Sequence, residues 1–403
     1  MNRSDRTQRH LPLDGLRIVS LAEQYPGPLA TMLLCDLGAQ VLQIERPDGG
    51  DPARAFPAFF EAINRGKRSA ALDLKTPQGH AALERLIGQA DAMVEGFRPG
   101  VMDRLGFGAH AARRINPRLV YVSITGYGRT GPYRDRPGHD ISYAGVAGLL
   151  ANDAPCAASL EQVALGDIAA AMHAALAVAV GLLGRERHGD APDFDVAVVD
   201  CLVAWMAGLA VPAMDGEPAI DVAAEPAYGA FECADGARLT LSIAHEDRFW
   251  AALCTALGET ALARLDRIAR LRRRAELREW LETALRRQPR SHWASLLDAA
   301  GVPWGPVNDY RNLRTDPQIL ARELFVRGTQ AGGRARWRMA SPFVIDGQRP
   351  CASGPAPGLG EHRGFDEPAS SDDVSDPNAG NTRDTADVGH ARQTSSTDPR
   401  TSR

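Results

Sequence analysis

The sequence predicts an α/β protein: an open, doubly wound unit followed by a smaller α+β domain. Three observations carry this. Strand-like and helix-like segments alternate from residue 16 to about 124; after Met214 the texture changes to a hairpin followed by Leu-, Ala- and Arg-rich helices; and 403 residues, 44% of them hydrophobic, supply core for about two to three domains.

In chain order, residues 16–21 (LRIVSL) form a β-branched run followed by a Pro-Gly-Pro turn. A helical stretch over 29–37, Gly38 and a second strand over 40–45 complete a βαβ opening, which requires parallel strands. An amphipathic helix over 79–89, a strand at 92–95, a helix around 109–114 and a strand over 119–124 continue the alternation. Residues 228–233 and 238–243, separated by Asp235-Gly236, read as a hairpin, and helices follow from 247 to about 297. The resulting division is a polar tail over 1–12, a large domain over 13–214, a small domain over 215–328 and a C-terminal return over 329–365. Residues 366–403, poor in apolar side chains, are expected to be a disordered tail.

Charge narrows the function classes. A net charge of −4 argues against nucleic acid as partner, so any polyanionic ligand must be met by a local cationic cluster. Lys67 and Lys75 are the only lysines, against a large excess of arginine. The six cysteines form no CxxC pair and no metal-ligand spacing, which fits a reduced, cytoplasmic protein without a metal site. The polar N-terminus lacks the apolar run of a secretory signal. Two apolar stretches, 168–184 and 196–214, are short and interrupted by His173 and Asp200, so both are expected to be buried helices and no membrane is implied.

Glu45 ends the second strand, where nicotinamide enzymes place a ribose-binding acid, yet the first turn reads Gln24-Tyr25-Pro26-Gly27-Pro28 and lacks GxGxxG. Nicotinamide is therefore set aside. Glycine-bearing or basic turns punctuate the chain instead: Leu72-Asp73-Leu74-Lys75, Glu95-Gly96-Phe97-Arg98, Arg104-Leu105-Gly106, and Gly138-His139-Asp140-Ile141-Ser142-Tyr143. Singly each is an ordinary surface turn. In this order, with the opening LDGLRIVSLAEQYPGPLATMLLCDLGAQVLQIERP and the blocks VEGFRPGVMDRLGFG and SITGYGRTGPYRDRPGHD, they resemble the class III CoA-transferase and α-methylacyl-CoA racemase family from about Leu13 to about His362.

The resemblance implies a Rossmann-like large domain with a smaller domain, two chains interlocked as a homodimer, an acyl-CoA thioester as substrate and no prosthetic group. It places CoA contacts at Arg46, Leu72, Asp73, Leu74, Lys75, Gly96, Phe97, Arg98, Arg104, Gly138, Asp140, Ile141, Ser142 and Tyr143. Guanidinium forks bind phosphate bidentately and stack on adenine, so Arg46, Lys75, Arg98 and Arg104 would form a cationic pocket on an acidic protein. GHDISY is similar to the racemase branch, whose catalytic histidine corresponds to His139.

Asp167, in the pair Gly166-Asp167 at a helix start, reads first as an N-cap; the resemblance makes it the catalytic aspartate. Racemisation needs groups on both faces of the α-carbon, which His139 and Asp167 would supply, with helix-start amides holding the thioester oxygen and Glu246 orienting the imidazole from the partner's small domain. This is the leading reading. The alternative is a class III CoA-transferase with Asp167 as nucleophile, supported by the C-terminal Pro357-Gly358-Leu359-Gly360-Glu361-His362. A non-catalytic CoA-binding scaffold is the third. It follows from three departures: Ile168-Ala169-Ala170-Ala171 in place of glycines, residues 153–162 without a Pro-rich lead-in, and His188-Gly189-Asp190-Ala191-Pro192-Asp193 before the next strand.

Overall fold

The structure is a computed structural model that describes residues 10–150, 163–217, 221–329, 335–352 and 354–366. The tail after residue 366 and the segment 153–162 lie outside the described residues. Six parallel strands, β1 (Arg17–Leu21), β2 (Gln40–Glu45), β3 (Arg68–Ala71), β4 (Ala92–Glu95), β5 (Val120–Thr125) and β6 (Asp193–Ala197), form a sheet ordered β3-β2-β1-β4-β5-β6. This is the doubly wound order, with its reversal between β1 and β4.

Alternate residues of the inner strands feed two cores. Ile18, Val41, Val94 and Val122 pack on one face and Val19, Leu42, Met93 and Tyr121 on the other, as the two-residue period of a strand dictates. Helices α1 (Pro26–Asp36) and α7 (Leu165–His188) cover the first face. Between them in sequence come α2 (Pro57–Asn64), α3 (Pro77–Gln89), α4 (Val101–Arg104), α5 (Ala109–Ile115) and α6 (Asp140–Val146), with α3 and α5 covering the second face.

Several elements differ from expectation. α1 starts at Pro26 because prolines in a first turn lack only N–H groups that would be orphaned there, so the Pro-Gly-Pro sequence opens the helix. β3 (RSAA) and β6 (DFDVA) escape sequence reading because short, polar runs carry no strand periodicity. The second apolar stretch is not a buried helix. It breaks at Met206 into α8 (Val198–Trp205) and α9 (Ala207–Met214), and α9 buries no residue. α7 is only half buried in its most apolar window; Met172, Leu176, Val180 and Leu183 form an exposed stripe.

A separate core forms over 227–302 around Trp250, Leu241 and Leu281. There β7 (Tyr228–Glu232) and β8 (Arg238–Ser242) make the expected hairpin, and β9 (Trp304–Pro306) adds a third antiparallel strand. β10 (Phe325–Thr329) and β11 (Ala335–Met339) pair next. The chain then returns to the large sheet. Ala352 N–H donates to Asp36, His362 N–H donates to the Ser69 carbonyl at 2.8 Å, and Phe365 is buried beside Leu86.

Candidate active site

The carboxyl ends of β1 to β5 present the loops that sequence reading singles out, at the edge where doubly wound proteins bind ligands. Arg46 follows β2, and its Nε donates to the Gly50 carbonyl at 2.9 Å. Leu72 to Lys75 follow β3. Leu72 and Leu74 pack into the core, while Asp73 and Lys75 are exposed and the Lys75 N–H donates to Asp73 Oδ1. Gly96, Phe97 and Arg98 follow β4, with Phe97 partly buried and Arg98 exposed.

Beneath that loop lies Glu95, which the sequence places at the head of the turn without a role. Its carboxylate, 4% exposed, accepts the Phe97 N–H at 2.8 Å; burial pushes its pKa up to about 7, and hydrogen bonds from Ser123 and Phe97 pull the other way. An acid ending a buried strand is the signal that could have found it.

Arg104, on α4, gains a neighbour that sequence reading misses: a Cβ on Gly100 would stand 3.4 Å from both Arg104 Nη1 and Arg134 Nη2. Two guanidinium groups around one backbone suit a doubly charged phosphate. Arg134→Ala should raise the apparent KM for an acyl-CoA by about 10-fold or more with kcat nearly unchanged, the pattern of lost uniform binding, measured by steady-state kinetics.

The second lysine has another use. Lys67 is buried, donates from Nζ to the Pro28 carbonyl and Asn64 Oδ1, both at 2.7 Å, and is pushed down to about 7 by burial. It anchors the start of α1. Glu45 is likewise committed, accepting from Arg54, Ser69 Oγ and the Asp51 N–H, which closes it to a ribose.

At the centre, Asp167 sits in the first turn of α7 as its third residue, Ala164 being the N-cap, so the N-cap reading of Asp167 is corrected. Asp140 does the capping from α6: its Oδ1 accepts the Asp167 N–H at 3.0 Å. Gly166 makes this approach possible, because a Cβ there would lie 2.7 Å from Val198 Cγ1 and 2.9 Å from Asp140 Oδ1. Burial, and then the Asp140 charge, push the Asp167 carboxyl up to about 7. Tyr143 closes the floor, its hydroxyl donating to the Gly138 carbonyl at 2.7 Å. Its ring lies so near Gly126 that any side chain there would collide. Burial, with Asp167 and Tyr127 adding, pushes the Tyr143 phenol up to about 12, while Arg98 opposes them. Arg98, Tyr143, Asp140 and Asp167 therefore share one electrostatic site.

Three amides at the start of α7 are engaged, Leu165 N–H with Val163, Asp167 N–H with Asp140 and Ile168 N–H with Ala164, which leaves Gly166 N–H as the one in that turn with no hydrogen bond among the described residues. Of the run Ile168-Ala169-Ala170-Ala171, the three alanines are fully buried in the core and Ile168 is partly exposed. His139 immediately precedes Asp140, the residue that holds the Asp167 N–H, whereas Glu246 belongs to the separate core over 227–302. His139 is exposed at the N-cap of α6; its carbonyl accepts the Ser142 N–H at 2.8 Å, and its imidazole makes no hydrogen bond among the described residues. Glu246 caps α10 (Asp247–Ala256), and backbone N–H groups of its own turn hold its carboxyl below the usual range. Ile141 and Ser142 are exposed on α6.

The buried site carboxyl sets a stability signature. Its pKa is raised in the folded state, so the contribution of Asp167 to stability falls as pH rises from about 4 to about 7 and stays lower above. Asp167→Asn should be as stable as wild type near pH 4 and gain on the order of 2 kcal/mol at pH 8, read from urea unfolding at both pH values.

Residues 13–363 match the family described as CoA-transferase family III. The chain belongs to CoA-transferase family III. It is 32% identical to the succinate–glutarate CoA-transferase of Agrobacterium fabrum over 89% of this chain and 96% of that protein. It is also 32% identical to the acetyl-CoA:oxalate CoA-transferase of Acetobacter aceti, over 78% and 86%. A CAIB/BAIF family protein from Brucella suis has a solved structure that superposes with a TM-score of 0.76 at 31% identity, covering 88% of this chain and 98% of that one. The protein is thus an enzyme of a family that acts on CoA thioesters. The named relatives are transferases, which favours transfer of CoA over the α-carbon epimerisation to which GHDISY points.

Proposed function

We propose that this family III enzyme is a CoA-transferase in which Asp167 is the nucleophile, moving CoA from an acyl-CoA to a free carboxylic acid. The carrying observation is the Asp167 carboxyl itself, desolvated, fixed through its own N–H by Asp140 and without a cationic partner in the ion pairs of the described residues. Such a carboxylate, once ionised, is a strong oxygen nucleophile.

The steps balance without a prosthetic group. An Asp167 oxygen attacks the thioester carbonyl, the C–S bond breaks, and CoA thiolate leaves a mixed anhydride. The thiolate then attacks the Asp167 carbonyl carbon and expels the donor acid, giving an aspartyl thioester. The acceptor carboxylate attacks that thioester, releasing the thiolate again. Attack of the thiolate on the new acyl carbon forms the product and restores Asp167. Arg98, Arg104 and Arg134 would hold the CoA phosphates and keep the released thiolate in place between steps.

The exposed stripe Met172, Leu176, Val180 and Leu183, with α9, supports a second copy covering this face, as in the homodimer the resemblance implies. Hydroxylamine trapping tests the nucleophile: with an acyl-CoA present, mass spectrometry should find a hydroxamate on Asp167. Solvent deuterium entering the α-carbon of a 2-methylacyl-CoA, and lost in His139→Ala, would instead restore the isomerase reading.

A further inference from the structure

We infer that the acyl subsite takes an apolar, preferably aromatic, monocarboxylic acyl group, seated on a wall formed by Tyr25, Phe59 and Phe56, and discriminates against short dicarboxylic acids. The inference rests on Asp167 being the group that meets the acyl carbon. Phe56 and Phe59 are 68% and 39% exposed at the start of α2, an unusual use of phenylalanine when Phe60 beside them is buried. The Tyr25 ring meets the Phe59 ring edge to face, with centroids 5.1 Å apart.

Tyr25 ties this wall to the reacting centre. Its carbonyl accepts the Leu29 N–H at 2.9 Å and so opens α1, which packs along α7, with Leu29, Leu165 and Ala169 in one core. Asp167 and Asp140 are the charges that, after burial, hold the Tyr25 phenol proton more tightly.

The same surroundings repel a second carboxylate. Arg54 is the only basic residue between 51 and 64, and its fork is spent on Glu45 and the Pro357 carbonyl. Glu23, two residues before Tyr25, is pushed up by burial and by Asp51, with Glu45 adding and Arg46 opposing, so the field there is acidic. A distal carboxylate would be desolvated on an aromatic surface without a partner, whereas an apolar group gains by leaving water.

The test measures binding of phenylacetyl-CoA and glutaryl-CoA to the full chain carrying Asp167→Asn, which removes turnover. Phenylacetyl-CoA should bind at least tenfold tighter. Adding Phe59→Ala should cut that ratio to threefold or less while leaving free CoA binding unchanged; Phe56→Ala, at the more exposed side chain, serves where Phe59→Ala does not fold. Glutaryl-CoA binding as tightly, or a ratio that survives both alanine variants, overturns the inference. A panel of acceptor acids with the wild-type enzyme separates this from the nucleophile assignment. Transfer that prefers glutarate to phenylacetate sinks the aromatic wall alone. Absence of transfer to every acid, with the binding preference intact and Phe59-dependent, sinks the transferase reading and upholds the wall.

Discussion

Asp167→Asn should abolish CoA transfer, lowering kcat by at least about 10⁴-fold, because a covalent route loses all its steps with its nucleophile. Initial rates of CoA exchange between an acyl-CoA and a labelled acid measure it. The variant should still bind acyl-CoA, since the arginines around Gly100 are untouched. A variant retaining more than about a hundredth of the wild-type rate would remove Asp167 from the nucleophile's role. The pH profile carries the same signature. The attacking form is the carboxylate and its pKa is about 7, so kcat/KM should climb tenfold per unit below pH 7 and level off above it. The sign follows from burial: desolvation favours the neutral acid, so acidification removes the nucleophile within the physiological range.

The second large effect is expected at Asp140, and two substitutions separate its roles. Asp140→Ala removes the acceptor of the Asp167 N–H and the charge together, and should lower kcat about 10²-fold as the first turn of α7 loses its cap. Asp140→Asn keeps an oxygen for that N–H and removes only the charge. Activity should then be largely retained, while the acidic limb moves to lower pH because the like charge that raises Asp167 is gone. Burial, the larger cause, remains, so the limb stays above the ordinary carboxylate range. An unchanged limb in Asp140→Asn would assign the whole perturbation to desolvation.

Much of the fold is legible in the sequence because its elements report on burial locally. LRIVSL, QVLQIE and the stretch before Thr125 are apolar on both faces, as strands covered by helices on each side must be. Hairpin and helices after Met214 follow from turn chemistry and apolar spacing. β3 and β6 are not legible, because what makes RSAA and DFDVA strands is a neighbouring strand already in place. The apolar stretch over 196–214 misleads for a related reason. Hydrophobicity predicts that a surface is covered, not that the same chain covers it, and α9 leaves its side chains outside.

The candidate site divides in the same way. Gly-Asp at 166–167, the arginines after each strand and the GHD block are legible as residue types in order, and all of them except Asp167 follow strands of one sheet edge. The pairing of Asp140 with Asp167 across 27 residues and the bracket of Arg104 and Arg134 around Gly100 depend on distances that local spacing does not encode.

By itself the sequence determined that this acidic chain is an α/β protein able to gather a cationic CoA site, with two lysines and many arginines to build it. Tertiary structure alone decided how those residues are used. Lys67 is buried at the start of α1 while Lys75 stays in solvent. Asp167 is raised by desolvation, and Asp140, rather than Asp167, caps the helix. The physical reason is common to all three: charge and hydrogen-bonding capacity belong to the residue type, but solvation and partners are properties of the place the fold assigns it.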